Sequence, residues 1–312
     1  MVNVNFLQFA LTKGIGEISI KKALNFLMLN YGASWKDVIS NNYILNLNVD
    51  VFNNIKKTYE DAKLLEETLL SNNVDIILEN DINYPKKLKL ILGEESPPFL
   101  FIQGNKNILD KNGIGFCGSR KVSEKGKDIT YQCAKILSNN YINVISGYAS
   151  GTDLTAHKSS LINNGSTVFV LVEGILRKTI KGEIKDYINN DNHIFVSQFL
   201  PRLTWNSGNA MKRNKTIIGL SLAIILIESR EYGGTFEAGI ETLKLNRNLF
   251  VIDYFMSPET AKANRFFISK GGIPIKKNKQ GLPVLRSVLD IVNDDIRLLK
   301  INDLEPKFNF MY

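Results

Sequence analysis

The sequence predicts an α/β protein built on a doubly wound, mostly parallel sheet, with a small helical domain ahead of it. Three observations carry this prediction. From about residue 76 short apolar runs recur, among them FLFIQGN, IGFCGS, INVISGY, STVFVLVEG and SLAIILIES. Several are apolar throughout rather than alternating, as strands covered on both faces are. Longer helical patterns such as EKGKDITYQCAKILSNN and TFEAGIETLKLN separate most of them, and strand–helix–strand repetition means parallel strands joined by right-handed crossovers.

Residues 1–75 read as helices punctuated by Asn-rich turns. FLQFALTKGIG ends in glycines, and ISIKKALNFLMLNYG is apolar at helical spacing up to Gly32. Thr12-Lys13-Gly14-Ile15-Gly16 ahead of a helix has the form of a helix-hairpin-helix (SAM-like) turn, whose glycines free backbone amides to meet a phosphate. It reads equally as a plain turn between helices with a glycine cap. The strand–helix domain is expected over 76–285, opening with VDIILEN and continuing through HIFVSQF, LFVIDYF and IPIKK. A tail over 286–312 holds one helical stretch, RSVLDIVNDDIRLL, too short for a further folded domain such as a winged helix.

Bulk properties narrow the function classes. The 312 residues are 44% hydrophobic, enough for a sizeable core, and Lys+Arg 39 against Asp+Glu 31 leaves a net charge of +8. That balance leans towards polyanionic partners. Cys117 and Cys133 make neither a disulfide framework nor a zinc site by themselves. The opening MVNVNFLQF has no basic region before its apolar residues, and the apolar runs fall short of the about 20 residues that cross a bilayer. A cytoplasmic protein is expected, with no membrane partner, metal or cofactor.

Ligands of an open parallel sheet bind beyond the carboxyl ends of its strands, where glycine turns lead into helices. Three such elements occur. Gly118-Ser119-Arg120-Lys121-Val122-Ser123 follows IGFCG. Gly118 lets the backbone turn sharply, Arg120 offers a fork matched to phosphate, and Ser123 suits a helix N-cap. Gly113 to Gly118 satisfies G-x-G-x-x-G, but that mechanism needs its glycines in the turn. Gly113 and Gly115 fall before or inside the strand, which argues against a dinucleotide.

The second turn, Ser146-Gly147-Tyr148-Ala149-Ser150-Gly151-Thr152-Asp153, leaves room for a ligand against bare amides. Asp153 suits the helix start. His157, one turn later, reads either as a phosphate or base contact or as a helix histidine oriented by Asp153. The third element, Lys212-Arg213-Asn214-Lys215, lies on a helical segment leading into AIILIES and reads as phosphate-facing. That strand ends in Gly233-Gly234-Thr235, where amides 234–236 would form an anion nest.

Taken in order, these residues resemble the signature of the DprA/Smf family. They are Gly118-Ser119-Arg120 with Ser123 and Gly126, then Ser146-Gly147-x-Ala149-x-Gly151-x-Asp153-x-x-Ala156-His157, then Arg213-Asn214-Lys215 with Leu220-Ser221, and finally Gly233-Gly234-Thr235. Tyr84-Pro85-x-x-Leu88 and Pro97-Pro98 resemble the stretch ahead of that family's sheet. The resemblance implies an extended Rossmann fold and a homodimer. It implies binding of single-stranded DNA in a basic pocket and transfer of that DNA to the RecA recombinase in uptake, recombination or genome defence. Carried over, Arg120, the backbone at 146–151, and Lys212, Arg213 and Lys215 would hold successive phosphates, with Tyr148 stacking on bases.

Three features depart from the family pattern. Asn209-Ala210-Met211-Lys212 replaces Phe-Pro and a run of arginines, the winged helix that many members carry is not expected, and Glu237 follows the Gly-Gly-Thr turn. Gly233-Gly234-Thr235-x-Glu237 resembles the loop of the LOG nucleotide hydrolases. That implies an alternative, a nucleotide-binding protein or nucleotide N-glycosidase with Glu237 as its acid/base. Glu237 also reads as an acid facing outward at a helix start.

Overall fold

A computed structural model describes residues 2–304; residues 305–312, the end of the expected tail, lie outside them. Helices come first: α1 (Val4–Leu11), α2 (Glu17–Leu29), α3 (Trp35–Ser40), α4 (Val49–Lys57) and α5 (Tyr59–Ser71). Asn3 starts α1 by accepting from the Asn5 and Phe6 amides, and Ser34 and Asp37 close a reciprocal cap on α3. The Thr12–Gly16 hairpin joins α1 to α2, with Thr12 Oγ1 donating back to the Gln8 carbonyl at 2.8 Å. Helix α1 is the centre of this segment: Phe6 and Phe9 pack on the Trp35 ring with centroids 5.1 and 5.8 Å away.

The sheet that follows has nine strands: β1 (Asp75–Leu78), β2 (Phe99–Gly104), β3 (Gly113–Cys117), β4 (Asn143–Ser146), β5 (Thr167–Val170), β6 (His193–Ser197), β7 (Ala223–Leu226), β8 (Asn248–Ile252) and β9 (Ile273–Ile275). Their order is β1-β2-β6-β5-β4-β3-β7-β8-β9. Strands β3 to β9 pair in parallel. At one end β2 runs antiparallel to β6, and β1 antiparallel to β2. The mostly parallel, doubly wound sheet is thus the observed fold, with its two antiparallel strands at a single edge.

The helices after β1 are α6 (Lys86–Leu92), α7 (Glu124–Asn139), α8 (Thr152–Ile162), α9 (Gly182–Lys185), α10 (Ser207–Leu220), α11 (Gly234–Lys244), α12 (Asn264–Ser269) and α13 (Arg286–Leu304). Side-chain alternation divides them between the two faces. Phe116 of β3 and Ile225 of β7 join Ile129 and Cys133 of α7 and Val288 of α13. Ile224 and Leu226 point the other way, to Ile217 and Ile218 of α10 and Phe267 of α12. On the first face, towards β5 and β6, the aromatic core of the early helices runs into the sheet. Phe6 meets Phe99 at 5.6 Å, and the same cluster reaches Phe101, Phe169 and Phe195. Tyr84, buried, donates to the Pro97 carbonyl at 2.7 Å and so ties the two ends of the stretch before β2 together.

Strand succession runs β3, β4, β5, β6 in one direction and β7, β8, β9 in the other. Loops leaving β3 and β7 therefore part to opposite sides, and a crevice opens between them. Gly113 and Gly115 lie within β3 itself. A Cβ on Gly115 would sit 2.6 Å from Ser221 Oγ, so this glycine serves the packing of α10 on the sheet.

Candidate functional site

Three neighbouring parallel strands, β4, β3 and β7, deliver their turns to this crevice. After β3, Ser119 N donates to the Glu228 carbonyl at 3.0 Å, and Ser119 Oγ accepts from Lys121 N at 3.0 Å. The turn so held carries the exposed Arg120 at the lip. Ser123 caps α7 as its position suggests, accepting from Gly126 N at 3.0 Å. Its hydroxyl also donates to Glu228 Oε1 at 2.5 Å, so Ser123 is committed to the scaffold in both directions.

After β4, Gly151 adopts φ +78°, a conformation that favours glycine. A Cβ there would come within 2.5 Å of the Ser119 and Arg120 carbonyls, so this residue lets the two turns touch. A Cβ on Gly147 would overlap the Arg213 guanidinium and lie 2.5 Å from Asp153 Oδ2. Ser146 is buried, and its hydroxyl donates to the Phe116 carbonyl at 2.8 Å. Asp153 at the start of α8 accepts from Ala149 N at 3.3 Å and stands 4.0 Å from Arg213 Nη1. Burial raises the Asp153 carboxyl above the ordinary range, with the Arg213 guanidinium opposing. The same burial lowers Arg213.

His157 corrects both readings of it. Fully buried, it lies 2.6 Å from the Gly147 carbonyl through Nε2 and 2.6 Å from Thr167 Oγ1 through Nδ1. A carbonyl only accepts, so Nε2 carries the proton. His157 therefore pins the glycine turn from beneath, without Asp153. Burial pushes its pKa down to about 3, and it stays neutral.

The cations of 212–215 do not face one track. Lys212 pairs with Glu17 of α2 at 2.7 Å, and Lys215 with Glu95 and Glu241 at 2.5 and 3.4 Å. Arg213 alone turns inward, 8% exposed, donating from Nη1 to the Val170 carbonyl at 3.2 Å. Its Nε is buried without a hydrogen-bond partner. Beyond β7, Gly233 at φ +95° starts α11 without a side-chain cap. Glu237 is exposed and does not line the crevice, whose wall on this helix is Gly234, Thr235, Ala238 and Thr242.

The crevice forms a cleft of ≈ 370 Å³ whose lining includes Gly118, Ser119, Arg120, Asp153, Arg213 and Asn214. A second cleft of ≈ 380 Å³, lined by Tyr148, Lys181 and Trp205, shares Arg120, Ala149 and Arg213 with it. Gly147 and Gly151 support the turns behind these surfaces, Gly233 is exposed at the start of α11, and Ser123, Ser146, Lys212 and Lys215 are engaged elsewhere. Tyr148 packs edge-on against Phe169 and Phe195, and Lys181 Nζ lies 4.7 Å over its ring. Burial lowers the Lys181 pKa. The arrangement presents three guanidiniums (Arg120, Arg213 and Arg230), two ammoniums (Lys121 and Lys181) and open helix starts to the concavity, which is an anion-binding chemistry.

The profile of the family described as DNA recombination-mediator protein A matches residues 75–284. The chain belongs to this family. It is 25% identical over 247 residues to DNA processing protein DprA of Bacillus subtilis, covering 78% of each chain. Against DNA processing protein DprA of Streptococcus pneumoniae it is 29% identical over 171 residues, 54% of this chain and 59% of that one. The crystal structure of the pneumococcal protein superposes with a TM-score of 0.72 at 23% identity, over 88% of this chain and 95% of that one. DNA processing protein A of Helicobacter pylori, whose single-stranded DNA binding mode has been determined structurally, superposes with a TM-score of 0.58 at 19% identity, over 72% and 96%. These likenesses show a shared fold.

For a family member, two residues of the site are not singled out by its motifs. Glu228, fully buried, accepts from Ser123 N at 2.9 Å, Tyr254 Oη at 3.0 Å and Thr260 Oγ1 at 2.5 Å, besides Ser123 Oγ. It is the post that holds the turn after β3 to the turn after β8. Lys181 follows β5, whose loop ILRKTIK carries three cations, Arg177, Lys178 and Lys181, at the same rim of the sheet. The rule that directs attention to carboxyl ends covers that loop as well.

Proposed function

We propose that the chain is a cytoplasmic DNA-processing protein that holds the phosphate backbone of single-stranded DNA in the joined clefts. Arg120 grips from the lip, Arg213 from the floor, and the helix starts at Thr152 and Gly234 offer amides. The second cleft, with Tyr148, Lys181 and Trp205, takes the bases. Residues 76–285 carry the binding, and the partners are a second copy of the chain and RecA, to which the strand passes during recombination. Family membership supports this role, as does the single-stranded DNA binding mode of the Helicobacter pylori relative.

One observation carries the reading. Arg213 is buried with an unsatisfied donor in the same cleft as Arg120. Leaving such a donor unpaired costs about 1–3 kcal/mol, and a phosphate oxygen would satisfy it. Fluorescent oligothymidylate titrated at several salt concentrations tests this. Binding should weaken with salt at about 0.7 in log–log slope for each phosphate contacted, and Arg120→Ala should lower both affinity and slope. Unchanged binding by Arg120→Ala, or release of free base from a nucleoside monophosphate, would overturn it.

A further inference from the structure

We propose that the cavity at the carboxyl ends of β8 and β9 is a second phosphate-binding subsite, which takes up the backbone of the same DNA strand as it leaves the first cleft. The inference rests on the DNA-binding reading above and extends its footprint along the rim. The cavity measures ≈ 450 Å³, and its lining includes Lys125, Arg265, Lys276 and Lys277. Among the described residues none of these four cations forms an ion pair, in contrast to Lys212 and Lys215. Asp253 is the carboxylate on the same wall. Four exposed cations against one acid repel one another, and a polyanion relieves that repulsion.

The cations are held by structure rather than gathered by chance. Asn264, fully buried, donates to the Ile227 and Ile252 carbonyls at 2.8 and 2.9 Å and accepts from Ser229 N at 3.0 Å. It staples the ends of β7 and β8 together and fixes Arg265, the next residue, beside them. Lys276 and Lys277 follow β9 on a short ribbon, in which Val284 N donates to the Lys276 carbonyl at 2.9 Å and Lys277 pairs with Pro283. Lys125 Nζ lies 5.3 Å over the Tyr254 ring. Phe255, 92% exposed, adds a free aromatic face at the cavity's edge. Cations interleaved with rings suit a single strand, whose phosphates and bases are both accessible.

The two cavities share a wall. Glu228 lines the first cleft and Tyr254 the cavity beyond β8 and β9, and the two are joined by a 3.0 Å hydrogen bond. A strand leaving Arg120 therefore meets this cavity next along the rim. The Glu228 carboxylate between them is fully buried and bound by four donors, so it offers little repulsion.

The test compares fluorescent oligothymidylates of about six and about twenty nucleotides, lengths that fill one cleft and overrun it. The combined variant Arg265→Ala, Lys276→Ala, Lys277→Ala should bind the long strand roughly tenfold more weakly at low salt, with a slope reduced by about 2, and the short strand as wild type does. A control that removes the same charge elsewhere, Lys36→Ala, Lys56→Ala, Lys63→Ala, should leave both lengths unchanged. Equal losses on both lengths, no loss on the long one, or an equal loss in the control would overturn the subsite. Arg120→Ala, which should weaken both lengths, tests the first cleft separately.

Discussion

Gly147 is where backbone and charge come closest. A methyl group there would displace Arg213 and Asp153 together, and overpacking of this kind costs about 1–3 kcal/mol. Gly147→Ala should therefore lower both the midpoint of chemical unfolding and the affinity for oligothymidylate, the second through the misplaced guanidinium. His157 makes a different prediction. Its pKa is pushed from 6.5 to about 3 in the folded chain. Between those values the unfolded state binds the extra proton, so stability rises with pH across this window, falls as pH drops towards 3, and is independent of this group above 6.5. The full effect is about 1.4 kcal/mol for each pH unit. Urea unfolding at stepped pH should show the slope, and His157→Gln should flatten it. Sequence alone placed His157 near Asp153, because i and i+4 are neighbours on a helix. The partners it takes instead, Gly147 and Thr167, come from β4 and β5, and no spacing along the chain reveals that contact.

At the level of elements, α10 shows why a run of cations is a poor guide to a binding track. Successive residues on a helix diverge by about 100°, so Lys212, Arg213 and Lys215 cannot all face one groove. Glu17, Glu95 and Glu241 neutralise the two lysines at the surface. Lys212→Ala and Lys215→Ala should each change oligothymidylate affinity by less than about twofold, since exposed pairs contribute little. Arg120→Ala should act far more strongly in the same assay. The glycine turns, by contrast, were legible. Gly118, Gly151 and Gly233 sit where a strand ends and a helix begins, and such junctions are written in local composition. Glu228 was not legible, because a buried acid at a strand end is recognised only by the donors that converge on it from residues 123, 254 and 260.

Over the whole molecule, the apolar runs identified all the strands of the sheet, and the strand–helix alternation gave their parallel sense. The antiparallel edge of β1 and β2 lay beyond reach, since partner choice depends on where α6 packs. Equally hidden was the extent to which the early helices and the sheet share their aromatic interior. The contacts from Trp35 through Phe6 and Phe99 to Phe101 leave no seam at residue 75. Heating should therefore melt helices and sheet in one endotherm, with calorimetric and van't Hoff enthalpies in agreement; two resolved peaks would contradict this. Removal of residues 1–74 should uncover Phe99 and Phe101 and yield an insoluble remainder rather than a working fragment. Damage to Phe6, far from any phosphate, would then silence the molecule as surely as damage to its rim.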